Sequence, residues 1–280
     1  MKVGTIDGRA VLIVEHGAVD IATASAGEFG PSARSLYERW DDFVEAAPSL
    51  EADPVAFHDH QLGPPSPEPR QVFAIGLNYQ AHADETGQQV PAIPATFTKF
   101  PSCLTGPAGD IALPAETVDW EVELVVIIGR GAHHVDESAA WSHVAGVTVG
   151  QDLSERVTQR AAGGQFGLGK SFPGFGPTGP WLVTIDELDD PDDLALGCAV
   201  DGEVVQDSRT SDLIVPVSTL IARLSAIVRL EPGDLIFTGT PPGVGAARRP
   251  PRFLRPGQRL ETWIEGVGRM SHRLVDRESA

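Results

Sequence analysis

The sequence predicts a mixed α/β fold, mainly β, with a small N-terminal domain ahead of a larger one. Three observations predict it. Apolar runs of strand length recur along the chain, while few stretches show helical spacing. Turn-forming residues are abundant, with 30 Gly and 23 Pro in 280 residues, as many short strands joined by loops require. The stretch Leu62-Gly63-Pro64-Pro65-Ser66-Pro67-Glu68-Pro69 reads as a linker. It separates a small domain over residues 1–65 from a main domain over residues 66–280.

In chain order, residues 2–22 read as short strands, with Asp7-Gly8 and His16-Gly17 as turn signals. Leu36, Trp40, Phe43 and Val44 fall at helical spacing, which predicts a helix over 32–46. After the linker, strand-like runs occupy 72–75, 121–128, 144–149, 181–185, 199–205, 235–238 and 259–264. Asp201-Gly202 predicts a hairpin turn. Helices are expected near 79–85 and over about 216–229. No internal repeat stands out.

Bulk properties narrow the function. The longest apolar run, Leu124 to Ile128, is strand-sized and far below the roughly 18 residues of a membrane span. The N-terminus lacks the apolar stretch of a secretory signal, so a cytoplasmic location is expected. The formal net charge is −18, which repels phosphate backbones and anionic lipid, so neither nucleic acid nor membrane is an expected partner. Cys103 and Cys198 lie far apart without a Cys-x-x-Cys, as free thiols in a reducing compartment do. One basic stretch, Arg248, Arg249, Arg252, Arg255 and Arg259, runs against the acidic trend. It reads as a solvated loop, with a lid or a subunit contact as the alternative.

The most informative segment is Asp119-Trp120-Glu121-Val122-Glu123-Leu124-Val125-Val126-Ile127-Ile128-Gly129. Side chains alternate on a strand. Glu121, Glu123, Val125 and Ile127 share one face, and Trp120, Val122, Leu124, Val126 and Ile128 share the other. Both faces are apolar apart from the glutamates, so the strand reads as buried on both sides. Two carboxylates pointing the same way from a buried strand need protons or a cation between them, and a hard ion such as Mg²⁺ suits carboxylate oxygens. A solvated strand end is the alternative. Asp152, after the run 144–149, is a third available carboxylate or a turn cap.

Other segments carry titratable groups. Gly164 to Ser171 meets the spacing G-x-x-x-x-G-K-[ST], but Phe172-Pro173-Gly174 follows where a phosphate loop needs a helix, so a nucleotide site is rejected. Lys170 is instead a cation available to an acidic metal site, or a surface lysine. His82 and Glu85 stand three apart on the expected helix, where they can touch. A carboxylate beside an imidazole suits a general base for water; a surface ion pair is the alternative. His133 and His134 read as solvent-facing loop residues. Gly239-Thr240-Pro241-Pro242-Gly243-Val244-Gly245 can bring backbone N–H groups and a hydroxyl to a ligand, or serve as a structural crossover. No Gly-x-Ser-x-Gly elbow occurs, which leaves a serine hydrolase unsupported.

Taken together, Gly76 through Glu85, Asp119 through Gly129, Gln151 through Arg156, Gly169 through Phe172, Phe175 through Trp181 and Gly239 through Gly245 resemble the fumarylacetoacetate hydrolase family, in its smaller acylpyruvase-like bacterial branch. The resemblance covers roughly residues 70–275, and residues 1–65 look like that family's variable N-terminal domain. It implies a β-sandwich roll, a homodimer, and Mg²⁺ or Mn²⁺ held by Glu121, Glu123 and Asp152. It implies that His82 and Glu85 activate water on a lid segment and that Lys170 stabilises an oxyanion or enolate. It assigns Arg156, Gln159 and Thr240 to the substrate's oxygens, with Lys99 grouped among them and supporting the metal shell.

The reaction so implied is hydrolysis of a C–C bond in an acylpyruvate-type 2-oxo acid. Decarboxylation of oxaloacetate, or keto–enol and double-bond isomerisation, is the alternative, and a metal-stabilised binding protein without activity is a third. The chain departs from the family in three places. Ile75 stands where fumarylacetoacetases have a further acidic ligand, which counts against fumarylacetoacetate itself. Pro173-Gly174 stands where Asp-Thr usually follows the Lys-Ser-Phe of 170–172, and Glu155 and Val157 flank Arg156 where the family has Ala and Asp.

Overall fold

The run that is apolar on both faces becomes the centre of the fold. The computed structural model describes residues 1–91, 93–161 and 163–277. The strands that matter here are β1 (Lys2–Ile6), β2 (Arg9–Val14), β3 (Gly17–Asp20), β4 (Val72–Gly76), β5 (Ala95–Thr98), β6 (Ala108–Leu113), β7 (Val122–Ile128), β8 (Val144–Gln151), β9 (Gly176–Val183), β10 (Ala195–Val200), β11 (Glu203–Arg209), β12 (Leu235–Phe237), β13 (Arg259–Ile264) and β14 (Gly268–Asp276). β7 and β8 are buried at every position.

The larger sheet has eleven strands, nine of them in the order β3-β2-β1-β9-β8-β7-β12-β4-β5. Leu62–Gly63 pairs with β1 and Leu104–Thr105 with β9 to complete it. A second sheet of five strands runs β11-β10-β13-β14-β6. The side chains of Val122, Leu124, Val126 and Ile128 enter the core shared with Leu196, Cys198, Leu260, Met270 and Leu274 of the second sheet. Val125 and Ile127 point the other way, against Leu36, Tyr37, Trp40 and Phe43. Sheet on sheet with helices behind is one of the few layer arrangements that cover both faces of a central strand. Each fully buried Val, Leu or Ile contributes about 1.5–3 kcal/mol of transfer free energy.

Residues 1–65 share a sheet with the rest, because β1 pairs antiparallel with β9 through Lys2↔Val183 and Val3↔Leu182. Among the described residues no helix is long and apolar enough to cross a membrane.

Several expectations need correction. The helix expected over 32–46 is two, α1 (Ala33–Tyr37) and α2 (Trp40–Ala46), parted at Arg39 with φ −127° and ψ 36°. The break lets Tyr37 stack on Trp40, centroids 5.4 Å apart. The expected helix 79–85 is α3 (Gln80–Thr86), closed by Gly87 at φ +68°, where a residue without Cβ is unstrained. α4 is Arg156–Ala161. The helix expected to reach 229 is α5 (Val217–Ser225), stopping early because Leu230 turns away to bridge Ala132. The run 199–205 is two strands, β10 and β11, around the expected turn at Asp201 and Gly202, φ +53° and +82°. β9 begins five residues before the expected Trp181, and β5, β6 and β14 were not foreseen.

Candidate active site

Antiparallel pairing brings the carboxylates together. Val122 pairs with Gln151 and Glu123 with Gly150, so the start of β7 lies beside the end of β8. Asp152 follows, its N–H donating to the Glu121 carbonyl at 2.9 Å. One oxygen from each of Glu121, Glu123 and Asp152 lies within 4.8 Å of the others, and all three residues are buried. An octahedral Mg²⁺ with ligands at about 2.1 Å requires separations of roughly 3–4 Å, so small side-chain rotations suffice.

Cations surround the triad unequally. Lys170 Nζ donates to Glu121 Oε2 at 2.6 Å and Asp152 Oδ2 at 2.5 Å. Lys99 Nζ donates to Asp152 Oδ1 at 2.7 Å, to the Phe175 carbonyl at 3.1 Å and to the Lys170 carbonyl. Arg156 grips Asp119 Oδ2 through Nε at 2.9 Å and Nη2 at 2.7 Å, and its Nη2 also lies 2.8 Å from Glu121 Oε1. Four buried carboxylates, counting Asp119, therefore face three buried cations.

The unmatched charge falls on Glu123, whose Oε2 accepts the Gly239 N–H at 2.8 Å and, among the described residues, no other hydrogen bond. Burial raises the Glu123 carboxyl well above its ordinary value, and the charges of Asp152 and Glu121 raise it further. Burial also opposes the charge on Glu121, but Lys170 and Arg156 outweigh it and hold that carboxyl at about 2. Lys170 is raised: burial works against its charge, and Asp152 and Glu121 prevail. A buried, uncompensated carboxylate within an all-oxygen donor set fits a hard divalent ion. The residues present therefore suit Mg²⁺ or Mn²⁺.

The loop after β12 is shaped by close approach. Gly239 has φ +106°, and a Cβ there would lie 2.7 Å from Asn78 Cβ; only glycine lets this N–H reach Glu123. A Cβ at Gly245 would lie 1.9 Å from the Arg252 carbonyl. Gly245 and Ala246 donate their N–H groups to Asp119 at 2.7 and 2.9 Å. Asp119 thus ties the loop to Arg156.

α3 supplies the dyad. His82 Nδ1 is 2.8 Å from Glu85 Oε1, and Glu85 Oε2 accepts the Gly243 N–H at 2.9 Å. With Glu85 ionised, Nδ1–H donates and Nε2 carries the free lone pair.

A cavity of about 530 Å³ joins these groups, lined by His82, Glu85, Glu121, Glu123, Arg156, Gln159, Lys170 and Thr240. Of the residues expected at the site, Asp152 and Lys99 do not line it. Asp152 is the triad member set behind the cavity wall, and Lys99, its side chain fully buried, is bonded to it. Grouping Lys99 with the substrate-binding residues is thus corrected: it does not line the cavity, and its buried ammonium is taken up by Asp152 and two backbone carbonyls. His133 and His134 are exposed loop residues. Gly167–Lys170 is a 3-10 turn, and its lysine faces the carboxylates.

The sequence reading missed other parts of the site. Asp119 was in plain view on the carboxylate segment but has no partner in sequence. Gln151 and Gln206 accept the N–H groups of Glu121 and Val122, both at 2.9 Å, and fix the strand start. Phe97 and Phe166 line the cavity, with Lys170 Nζ 5.1 Å from the Phe97 ring centroid. Arg248 and Arg249, from the basic stretch, line it as well; Arg249 is exposed and Arg248 half-buried.

The fumarylacetoacetate (FAA) hydrolase C-terminal family matches residues 71–275. The mitochondrial oxaloacetate tautomerase of Rattus norvegicus is 44% identical over 213 residues, spanning 75% of this chain and 68% of its own. A crystal structure from Mycobacterium smegmatis, provisionally assigned as HpcE, is 54% identical with a TM-score of 0.96, covering 99% of this chain and 100% of that one. The maleylpyruvate hydrolase of Sphingobium sp. SYK-6, solved with manganese(II) and pyruvate, is 29% identical with a TM-score of 0.80 over 99% of each chain. Hydrolase and tautomerase thus both stand among the similar proteins. With β4, β5, β7, β8, β9 and β12 of the main sheet inside the matched span, the chain belongs to the fumarylacetoacetate hydrolase family.

Proposed function

We propose that the protein is a divalent-metal-dependent enzyme that hydrolyses a C–C bond in an acylpyruvate-type 2-oxo acid, giving pyruvate and a carboxylic acid. The observation that carries this reading is the convergence, in one cavity, of buried carboxylates short of one positive charge with a carboxylate-backed imidazole. A divalent ion held by Glu121, Glu123 and Asp152 would supply Lewis-acid polarisation of the substrate's 1-carboxylate and 2-oxo group.

The side chains account for the rest. Thr240 Oγ1 accepts from Gln206 Nε2 at 2.8 Å, which leaves its own proton for a substrate oxygen. Gln159 Oε1 accepts from Arg156 Nη1 at 3.0 Å, which leaves its amide N–H groups to donate into the cavity. Arg156 itself is committed to Asp119, Glu121 and Gln159, so its part is to hold Glu121 and Gln159 in place. His82 Nε2 takes a proton from water, and Glu85 fixes the tautomer and stabilises the imidazolium. The hydroxide attacks the distal carbonyl, the C–C bond breaks, and the electron pair leaves as the pyruvate enolate. Lys170 faces the developing negative charge.

A second reading uses the same residues without water attack. His82 would move a proton at C3 of a 2-oxo acid, which is keto–enol tautomerisation; the 44% identity to an oxaloacetate tautomerase favours it.

A panel assay separates the two. With Mg²⁺ present, acetylpyruvate is expected to lose its enol absorbance and release pyruvate in step. Chelation of the metal should stop both. Conversion of oxaloacetate enol to its keto form without acylpyruvate cleavage would favour the second reading, and no metal-dependent turnover of either substrate would contradict both.

A further inference from the structure

The segment that carries two of the metal-binding carboxylates also grips the loop across from them. Asp119 and Trp120 directly precede Glu121. Asp119 is buried. Its Oδ1 accepts the Trp120 N–H at 2.9 Å and the Gly245 N–H at 2.7 Å. Its Oδ2 accepts the Ala246 N–H at 2.9 Å, and Arg156 Nε and Nη2 at 2.9 and 2.7 Å. Bonds to an ionised carboxylate are stronger than neutral ones. Trp120 adds another tie, its Nε1 donating to the Gly243 carbonyl at 3.2 Å.

The same loop holds the dyad. Gly243 donates its N–H to Glu85 Oε2 at 2.9 Å, and Glu85 Oε1 meets His82 Nδ1. Among the described residues, no other hydrogen bond joins α3 to a segment outside residues 79–88. The remaining side-chain bonds of α3 close within it: Gln80 to Asp84, and Thr86 to the His82 and Ala83 carbonyls. With 7 residues, α3 is too short to be stable by itself. Its place over the site therefore depends on packing and on Gly243. Gly243 is seated tightly: its φ is +110°, and a Cβ there would lie 2.2 Å from the Val205 carbonyl oxygen.

We propose that Asp119 is a positioning residue that sets the dyad against the metal site. It fixes Glu121 through Arg156, and it fixes His82 and Glu85 through the Gly243–Ala246 loop. Asp119 does not line the cavity, so it acts through these residues and not on the substrate. The inference rests on the metal-dependent reading above and adds what holds the base in register with the ion. Only a carboxylate meets the demand. The amide of an asparagine would turn an NH₂ group either on Arg156 and Ala246 or on Trp120 and Gly245, donor against donor.

Two measurements on the full-length protein test this. The first is hydrogen exchange without metal or substrate. In Asp119→Asn the amides of α3 and of residues 243–246 are expected to exchange at least about tenfold faster than in wild type, while α2 keeps its protection. Ala246→Pro should act in the same direction but more weakly. It deletes one N–H in a 3-10 turn, where an early proline is tolerated, and it leaves Asp119 on Arg156. This variant carries the exchange test alone if Asp119→Asn does not fold. The second measurement is acylpyruvate hydrolysis at saturating Mg²⁺. Asp119→Asn should lower kcat by about 10- to 100-fold, the usual cost of losing such a supporting partner, with KM moving less. In the His82→Ala background the same substitution should cost at least about threefold less, because the base it would misplace is already gone. Unchanged exchange in α3, exchange raised equally in α2 and α3, or equal losses of kcat with and without His82 would each overturn the proposal. Faster exchange confined to α3 and its loop, in a protein that cleaves no acylpyruvate, keeps the clamp and rejects the hydrolase.

Discussion

Glu123→Gln is expected to lower metal-dependent turnover of every 2-oxo acid by roughly three orders of magnitude, about 4 kcal/mol of transition-state stabilisation. Among the described residues, Glu123 is the carboxylate of the triad with no cationic hydrogen-bond partner, and its Oε2 accepts only the Gly239 N–H. The charge it carries is the one an ion would neutralise. An amide keeps the shape and the acceptor for Gly239 but loses that charge.

The same substitution tests the electrostatics. Burial and the neighbouring carboxylates raise the Glu123 carboxyl, so above the ordinary carboxylate range the metal-free folded state holds a proton that the unfolded chain has released. Stability of the metal-free protein from this group therefore falls as pH rises through the folded-state value. A divalent ion competes with that proton, so the rise in melting temperature on adding Mg²⁺ should grow with pH until Glu123 ionises freely, then level off. In Glu123→Gln the pH-dependent part of the shift should vanish. The variant without metal should melt close to wild type while Glu123 holds its proton, since a neutral carboxyl is exchanged for an amide of the same shape. Thermal melts across a pH series, with and without Mg²⁺, measure this. A variant that keeps turnover and the full metal-induced shift would exclude Glu123 as a ligand.

His82→Ala is expected to cut acylpyruvate hydrolysis by about 10²- to 10⁴-fold, the usual contribution of a positioned general base. Oxaloacetate decarboxylation, which needs no water activation, should fall far less. The two reactions measured on one preparation thus separate loss of the base from loss of the fold. Glu85→Gln should reduce hydrolysis more mildly and move its pH profile, because the imidazolium loses its counter-charge while a glutamine oxygen can still accept the Gly243 N–H. Unchanged hydrolysis in His82→Ala would remove the dyad from the mechanism.

Much of this was legible in the sequence, for local physical reasons. The alternation in Glu121 to Ile128 sets Glu123 on a buried strand with Glu121 just before its start, and His82 and Glu85 three apart on a helix must face alike. The Asp201-Gly202 turn was legible because both residues take positive φ.

What escaped was non-local or half-hidden. β14 alternates buried Met270, His272 and Leu274 with exposed or half-exposed Arg269, Ser271 and Arg273, a weak period-two signal among charges. Its parallel partner β6 lies some 160 residues away, and nothing in either segment names the other. The break between α1 and α2 preserves helical spacing on both sides, so periodicity cannot detect it. Asp119 acquires its importance only when folding brings Arg156 and Gly245 to it. That Arg248 and Arg249 line the cavity depends on the loop anchored at Gly245, which their own sequence does not show.

The central claim, that three side chains at the start of β7 and just past the end of β8 grip one divalent ion that takes a 2-oxo acid, is tested most directly by anomalous diffraction from crystals soaked in Mn²⁺ and oxalate. The account predicts a single strong peak bound by one oxygen each from Glu121, Glu123 and Asp152, with oxalate chelating its remaining positions on the cavity side. No peak between these three carboxylates, or a peak elsewhere with Lys170 still bridging Glu121 and Asp152, would contradict it.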